Sequence, residues 1–280
     1  MTEIMNKKIS ILGCGWLGLP LAKSLLSKGY EVKGSTTSES KLEVLKNAGI
    51  LPFQIQLEEN QIIGTIEDFL KETDVLVIDI PPGLRRDFST SLEMTFVNKV
   101  KTLIPFIEKS GIQKVVFVSS TSVYGDGFPI VEITEETKPN PDTESGKQLV
   151  IVETLLQSNL HFKTTVIRFG GLLGDDRHPI KFLAGRTNVE NPHAPVNMIE
   201  REDCIGIIEE TMKQVQHDNW GETFNAVAPQ HPTRKAYYHK KAEIFNLPLP
   251  TFAEDSESKG KIISSEKVET ILGYSFQKEI

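Results

Sequence analysis

The chain has 280 residues, 39% of them hydrophobic and 25% charged, with 20 Gly and 15 Pro. This is length for one or two packed domains at ordinary globular composition, which excludes a disordered, collagenous or low-complexity protein. A formal net charge of −7 repels a phosphate backbone, so neither nucleic acid nor an anionic membrane surface is the expected partner.

Apolar runs of strand length alternate with helical patterns, the sequence form of a parallel sheet with crossover helices. Lys8 to Leu12 reads as a first strand and Leu17 to Ser27 as a first helix, stopped by Gly29. A second strand at Tyr30 to Ser35 leads to a helix over Glu39 to Asn47, and Phe53 to Leu57 is a third strand. Asp74 to Ile80 is a nearly continuous apolar run expected of a strand buried on both faces, ended by Pro81-Pro82-Gly83. After a helix around Leu92 to Lys109 come a strand at Lys114 to Ser120, a helix over Gly146 to Ser158 and a strand at Thr164 to Phe169. Beyond residue 170 the alternation loosens into short strands near Val196 to Ile199 and Thr223 to Val227, with helices near Arg201 to Gln214 and Thr233 to Phe245. The expected fold is therefore α/β: a Rossmann-type doubly wound parallel sheet over residues 1–170, with a small C-terminal substrate-side lobe over 171–280 interleaved with it.

Cys14 and Cys204 are far apart in sequence and offer neither a disulfide framework nor a Cys-rich zinc site, which fits a reducing cytoplasm. The stretch Ile9 to Leu26 is broken by Gly13, Gly15, Gly18, Pro20 and Lys23, so it is expected neither to span a membrane nor to act as a signal segment. The six His residues show no metal-ligand spacing, and neither a G-x-S-x-G elbow nor a G-x-x-x-x-G-K-[ST] loop is present. No metal is expected.

Gly13-Cys14-Gly15-Trp16-Leu17-Gly18 fits G-x-G-x-x-G between a strand and a helix. Such a loop turns tightly, lets backbone approach a pyrophosphate, and places that anion at a helix N-terminus, so Gly13, Gly15, Trp16, Leu17 and Gly18 are the expected cofactor contacts. The acid that usually binds the adenosine ribose about 20 residues further on is replaced by Ser35, Thr36 and Thr37. Hydroxyls there, with Lys33 or Lys41 nearby, accept a 2′-phosphate, so NADP is favoured over NAD. Pro81 and Pro82 lie at the strand ends where doubly wound proteins bind ligands, and Arg85 and Arg86 follow as an exposed pair or a phosphate contact.

Ser119-Ser120-Thr121-Ser122-Val123-Tyr124-Gly125-Asp126 resembles the S-S-x-x-V-Y-G segment of extended short-chain dehydrogenases/reductases, the family of nucleotide-sugar epimerases and dehydratases. Asn98, Arg168, Gly171 to Gly174, Asp203 and Leu272-Gly273-Tyr274 follow in family-like order. The resemblance implies that Ser120 is the catalytic hydroxyl, that Lys147 holds the nicotinamide ribose as the lysine of Y-x-x-x-K, and that Ser119 borders the cofactor. It further puts Ser120, Thr121, Arg168 and Asn197 on the substrate side.

The family's tyrosine position is Thr143, an aliphatic hydroxyl that cannot ionise near neutral pH. The chain thus resembles the atypical members of the superfamily. Tyr124, Asp142 and Glu144 are the nearby alternative acids. Two functions follow: an NAD(P)-dependent oxidoreductase or epimerase acting on a small polyhydroxylated substrate, with nucleotide sugars among the candidates, or a cofactor-binding sensor without turnover. A hydroxyacid dehydrogenase is disfavoured, because no long all-helical domain follows. For oligomeric state, the resemblance implies a homodimer paired through helices beside the sheet.

Overall fold

A computed structural model describes residues 7–83, 94–174, 176–213, 220–254 and 257–280. The elements run β1 (Lys8–Leu12), α1 (Gly18–Ser27), β2 (Glu31–Thr36), α2 (Leu42–Asn47), β3 (Leu51–Gln54), β4 (Gln56–Leu57), β5 (Ile62–Ile63), α3 (Ile66–Leu70), β6 (Val75–Ile78) and α4 (Thr95–Ser110). They continue with β7 (Lys114–Ser120), β8 (Glu132–Ile133), α5 (Glu144–Gln157), β9 (Lys163–Phe169), β10 (Gly171–Leu173), α6 (Ile180–Leu183), β11 (Met198–Glu200), α7 (Arg201–Lys213), β12 (Thr223–Ala226), α8 (Arg234–Ile244), β13 (Ile262–Ile263) and α9 (Glu266–Ile271).

Seven strands form one sheet in the order β12-β9-β7-β6-β1-β2-β3, every neighbouring pair parallel. Side chains alternate between its two faces. Ile9, Ile11, Val77 and Val116 pack with Leu21 and Leu25 of α1 and Ile207 of α7. Leu76, Ile78, Val115 and Phe117 pack on the other face with Phe69 of α3, Val100 of α4 and Val152 of α5. Both faces are covered, which is why β6 and β7 read as unbroken apolar runs. The chain winds outward from β1 in both directions, so the doubly wound switch point lies between β1 and β6, where such sheets open a crevice at their C-terminal edge.

The third strand expected at Phe53 to Leu57 is two strands. Ile55 donates its amide to the Thr36 carbonyl at 3.0 Å, and the chain then leaves the sheet to pair β4 with β5. The last third of the chain is interleaved with the first: β12 is an edge strand of the main sheet and α7 packs beneath α1, while a separate cluster around Leu173, Ile180, Val196, Met198 and Tyr237 forms the small lobe. Arg85 and Arg86 lie outside the described residues, as do the first residues of the helix expected from Leu92.

A buried polar network ties β7, α5, β9 and β12 together. Ser119 Oγ donates to Glu153 Oε1, and the Glu153 carboxylate takes Arg168 Nη2 at 2.6 Å and Nε at 3.1 Å. Arg168 Nη1 then donates to the Tyr124 hydroxyl, which lies 3.1 Å from Asn225 Oδ1 and 3.2 Å from the Thr134 carbonyl. The Arg168 and Glu153 side chains are only 7% and 4% exposed, so neither can recruit solvent if the other is removed. Removing one partner of such a pair strands a charge, and Glu153→Ala is expected to lower unfolding stability by about 3–5 kcal/mol in urea denaturation.

Candidate functional site: a groove at the switch point

The loop from β1 to α1 runs close under the end of β6. A Cβ at Gly13 would stand 2.2 Å from the Asp79 carbonyl oxygen, and one at Gly18 would stand 2.2 Å from the Gly13 carbonyl oxygen. Gly13 also has φ +109°, in the region that favours glycine. Gly15 differs from both, because a Cβ there would meet nothing within 4 Å. Two of the three motif glycines are thus required by the packing of the loop, whereas the third faces open space.

That space is a groove made of two adjoining cavities of about 480 and 300 Å³, which share Ile80, Pro81 and Pro82. The larger is lined by Gly13, Ser35, Thr36 and Thr37 together with Thr95 and Lys99 of α4. The smaller is lined by Gly15, Trp16 and Leu17, by Ser119 and Ser120, and by Leu149 and Arg177. The structure therefore gathers the glycine loop, the hydroxyl loop after β2, the Pro-Pro turn and the end of β7 around one elongated crevice. α1 starts at its wall with no acid in its own first turn, and the carboxyl that reaches this end of the helix is that of Asp79, which accepts from the Gly18 amide.

Several expected residues have other work. Ser35 Oγ accepts from the Gly13 amide at 2.9 Å and so shapes the loop. Lys33 donates to the Asp68 and Lys71 carbonyls, and is therefore no neighbour of a 2′-phosphate. Thr121 is buried beside the turn and does not line the groove. Arg168 belongs to the buried network, and Asn197 donates to the Lys261 carbonyl at 2.8 Å and accepts from the Ile263 amide at 2.9 Å, pinning the C-terminal strap. Neither head group is directed at the groove.

The expected Y-x-x-x-K pair is not assembled. Thr143 is the N-cap of α5, its hydroxyl accepting from the Gly146 amide at 3.1 Å. Lys147 is 59% exposed and lies 3.8 Å from Glu144 Oε2. Leu149 takes the groove position instead, and at 100° per residue a side chain two positions earlier points roughly 200° away. The signal for this was the apolar spacing Leu149, Val152, Leu156, which marks the sheet-facing side of the helix. Tyr124 is buried, and burial raises its phenol pKa, with Arg168 and Asn225 acting against the rise. Its hydroxyl is held inside the network rather than in the crevice.

Ser120 is better placed. It lines the groove, and its Oγ accepts from the Ser122 amide at 3.1 Å, leaving its proton without an acceptor among the described residues. Asp79, at the groove floor, was not singled out from sequence, although an acid ending an apolar strand before two prolines is a visible anomaly. Burial pushes its carboxyl up to about 7, the Gly18 amide acting against that rise. Among the described residues no cluster of His, Cys, Asp or Glu could hold a metal ion, and no helix is long and apolar enough to cross a membrane.

This geometry defines a dinucleotide-binding α/β protein. Residues 9–184 match the model of the NAD dependent epimerase/dehydratase family, and the chain belongs to that family. It is 35% identical over 273 residues to Protein YeeZ of Escherichia coli (strain K12), covering 97% of this chain and 96% of that one. Its fold is similar to UDP-glucuronic acid 4-epimerase from Bacillus cereus in complex with NAD, with TM-score 0.79, 18% identity and coverage of 97% and 92% of the two chains. It is also similar to MoeE5 in complex with UDP-glucose and NAD, with TM-score 0.78, 17% identity and coverage of 98% and 94%.

Because folding raises the Asp79 pKa above its ordinary value of 3.8, the folded state holds that proton more tightly than the unfolded chain. The resulting stability is complete below about pH 4 and is lost as pH rises through about 7. Asp79→Asn carries no charge to desolvate and keeps an acceptor for the Gly18 amide. Its melting temperature should match the parent at or below about pH 4, exceed it increasingly from there to about pH 7, and hold a constant margin above, as followed by thermal unfolding.

Proposed function

We propose that this chain binds NADP(H) in the groove and uses it in oxidoreductase or epimerase-like chemistry on a small polyhydroxylated substrate, nucleotide sugars being one candidate class. The observation that carries the reading is Gly15: no packing contact requires a glycine there, and its bare backbone faces the crevice beside the N-terminus of α1. A pyrophosphate needs that close approach to amides.

The preference for NADP rests on the larger cavity. Among the described residues its lining includes Ser35, Thr36, Thr37 and Lys99 and no carboxylate, so an adenosine 2′-phosphate meets hydroxyls and an ammonium there. The Lys99 ammonium takes the part expected of Lys33. A bound nicotinamide supplies or accepts hydride at its C4 carbon. Ser120, with its free hydroxyl proton, orients the reacting oxygen, and Leu149 supplies an apolar wall where the family motif has a polar group. The proton is carried by a group other than residues 143 and 147. The protein is read as cytoplasmic, acting on a small molecule and not on nucleic acid or a membrane.

A second reading is favoured by the cap at Thr143 and the outward Lys147: a cofactor-binding sensor in which turnover is lost. The two differ in label exchange at nicotinamide C4, which the enzyme catalyses with some polyhydroxylated substrate and the sensor catalyses with none.

Titration of the protein with NADPH and NADH, followed by nicotinamide fluorescence, should show tighter NADPH binding. Thr36→Asp should cut NADPH affinity by about tenfold or more while sparing NADH, since a carboxylate beside a phosphate dianion costs at least the 1.4 kcal/mol of one decade. Equal affinities in the parent, or no change in Thr36→Asp, would remove the NADP preference.

A further inference from the structure

Trp16, in the glycine loop, is held by groups from the far side of the chain. Its Nε1 donates to Asp176, 2.9 Å from Oδ1 and 3.1 Å from Oδ2. The Arg201 guanidinium lies 4.8 Å from the indole ring centroid and that of Arg177 lies 5.1 Å from it, both within cation–π range. Gly174 makes room for the ring, since a Cβ there would stand 2.7 Å from Trp16 Cζ2.

The charges on this cluster are uneven. Arg201 reaches Asp176 Oδ1 at 3.3 Å, and the Trp16 N–H and Arg201 hold the Asp176 carboxyl below its ordinary pKa, so it is ionised and has its counter-ion. Arg177 is exposed, has no carboxylate partner among the described residues, and lines the same cavity as Gly15, Trp16 and Leu17. A cation fixed on an indole, with its planar N–H fork beside bare backbone at a helix start, suits an anion with several oxygens.

We propose that Arg177, steered by Trp16, closes over the groove and binds the pyrophosphate bridge of the dinucleotide from the side opposite the glycine loop. This deepens the cofactor reading and rests on it. The glycine loop offers amides from the N-terminal part of the chain and Arg177 offers a guanidinium from the segment after β10, so the bridge is gripped by both. Dinucleotide binding thereby couples the small lobe to the main sheet, because Arg177 directly precedes His178, whose ring lies 3.0 Å from the Tyr237 hydroxyl within that lobe.

The test uses the full chain and two variants, Arg177→Gln and Arg177→Lys, each titrated with NADPH and with adenosine 2′-monophosphate, which has the ribose phosphate but no pyrophosphate. The clamp predicts that Arg177→Gln weakens NADPH by about tenfold to a hundredfold, that Arg177→Lys recovers part of the loss, and that adenosine 2′-monophosphate binds all three chains equally. It also predicts a shallower salt dependence of NADPH affinity in Arg177→Gln. NADPH binding to Arg177→Gln within twofold of the parent overturns the clamp alone, and an equal loss for adenosine 2′-monophosphate overturns it by showing a general defect. A parent chain that binds adenosine 2′-monophosphate but not NADPH overturns the clamp, and one that binds neither overturns the cofactor reading with it.

Discussion

The site depends on how closely the chain leaving β1 can approach the end of β6. Backbone at Gly13 lies against the Asp79 carbonyl, and backbone at Gly18 lies against Gly13, at separations where any side chain would collide with main-chain oxygen. That contact sets the start of α1 beside the sheet edge and aims its N-terminus along the groove. The cost is a half-buried carboxyl at Asp79 wedged under the loop at the groove floor, and that desolvation explains its reluctance to ionise. Gly15, between these two pinned points, is left facing the crevice.

Around this pivot the protein keeps the scaffold of its family while the face that holds Y-x-x-x-K in the family motif is rebuilt. The helix that would present a phenol and an ammonium presents Leu149, with a capping threonine at its start and an outward, ion-paired lysine. Polar character has moved inward to the chain Ser119, Glu153, Arg168, Tyr124 and Asn225. That network joins α5 to three strands of the sheet and holds the end of β7 in place. Ser120 keeps a groove position because Ser119, its neighbour on the alternating strand, points inward to Glu153.

Much of this was legible in the sequence, and the failures share a cause. The unbroken apolar runs of β6 and β7 and the Gly-x-Gly-x-x-Gly spacing gave the sheet, its two covered faces and the groove, because these follow from local pattern and hard-sphere geometry. Lys147 falls outside the groove because motif spacing does not carry the helix face: the apolar period Leu149, Val152, Leu156 turns the other side of α5 to the sheet. Arg168 and Asn197 look like exposed polar candidates until their partners are known, and Glu153 and Lys261 are 15 and 64 residues away. Trp16 and Asp176 meet across 160 residues, a pairing that no local rule anticipates.

The central claim is that the open side of the glycine loop exists for a dinucleotide, and Gly15→Val tests it most directly. The substituted side chain enters space that the folded protein leaves empty, so the account predicts a melting temperature within a few degrees of the parent together with at least about a tenfold loss of NADPH affinity by calorimetric titration. An equally stable Gly15→Val chain that binds NADPH as tightly as the parent would contradict the account.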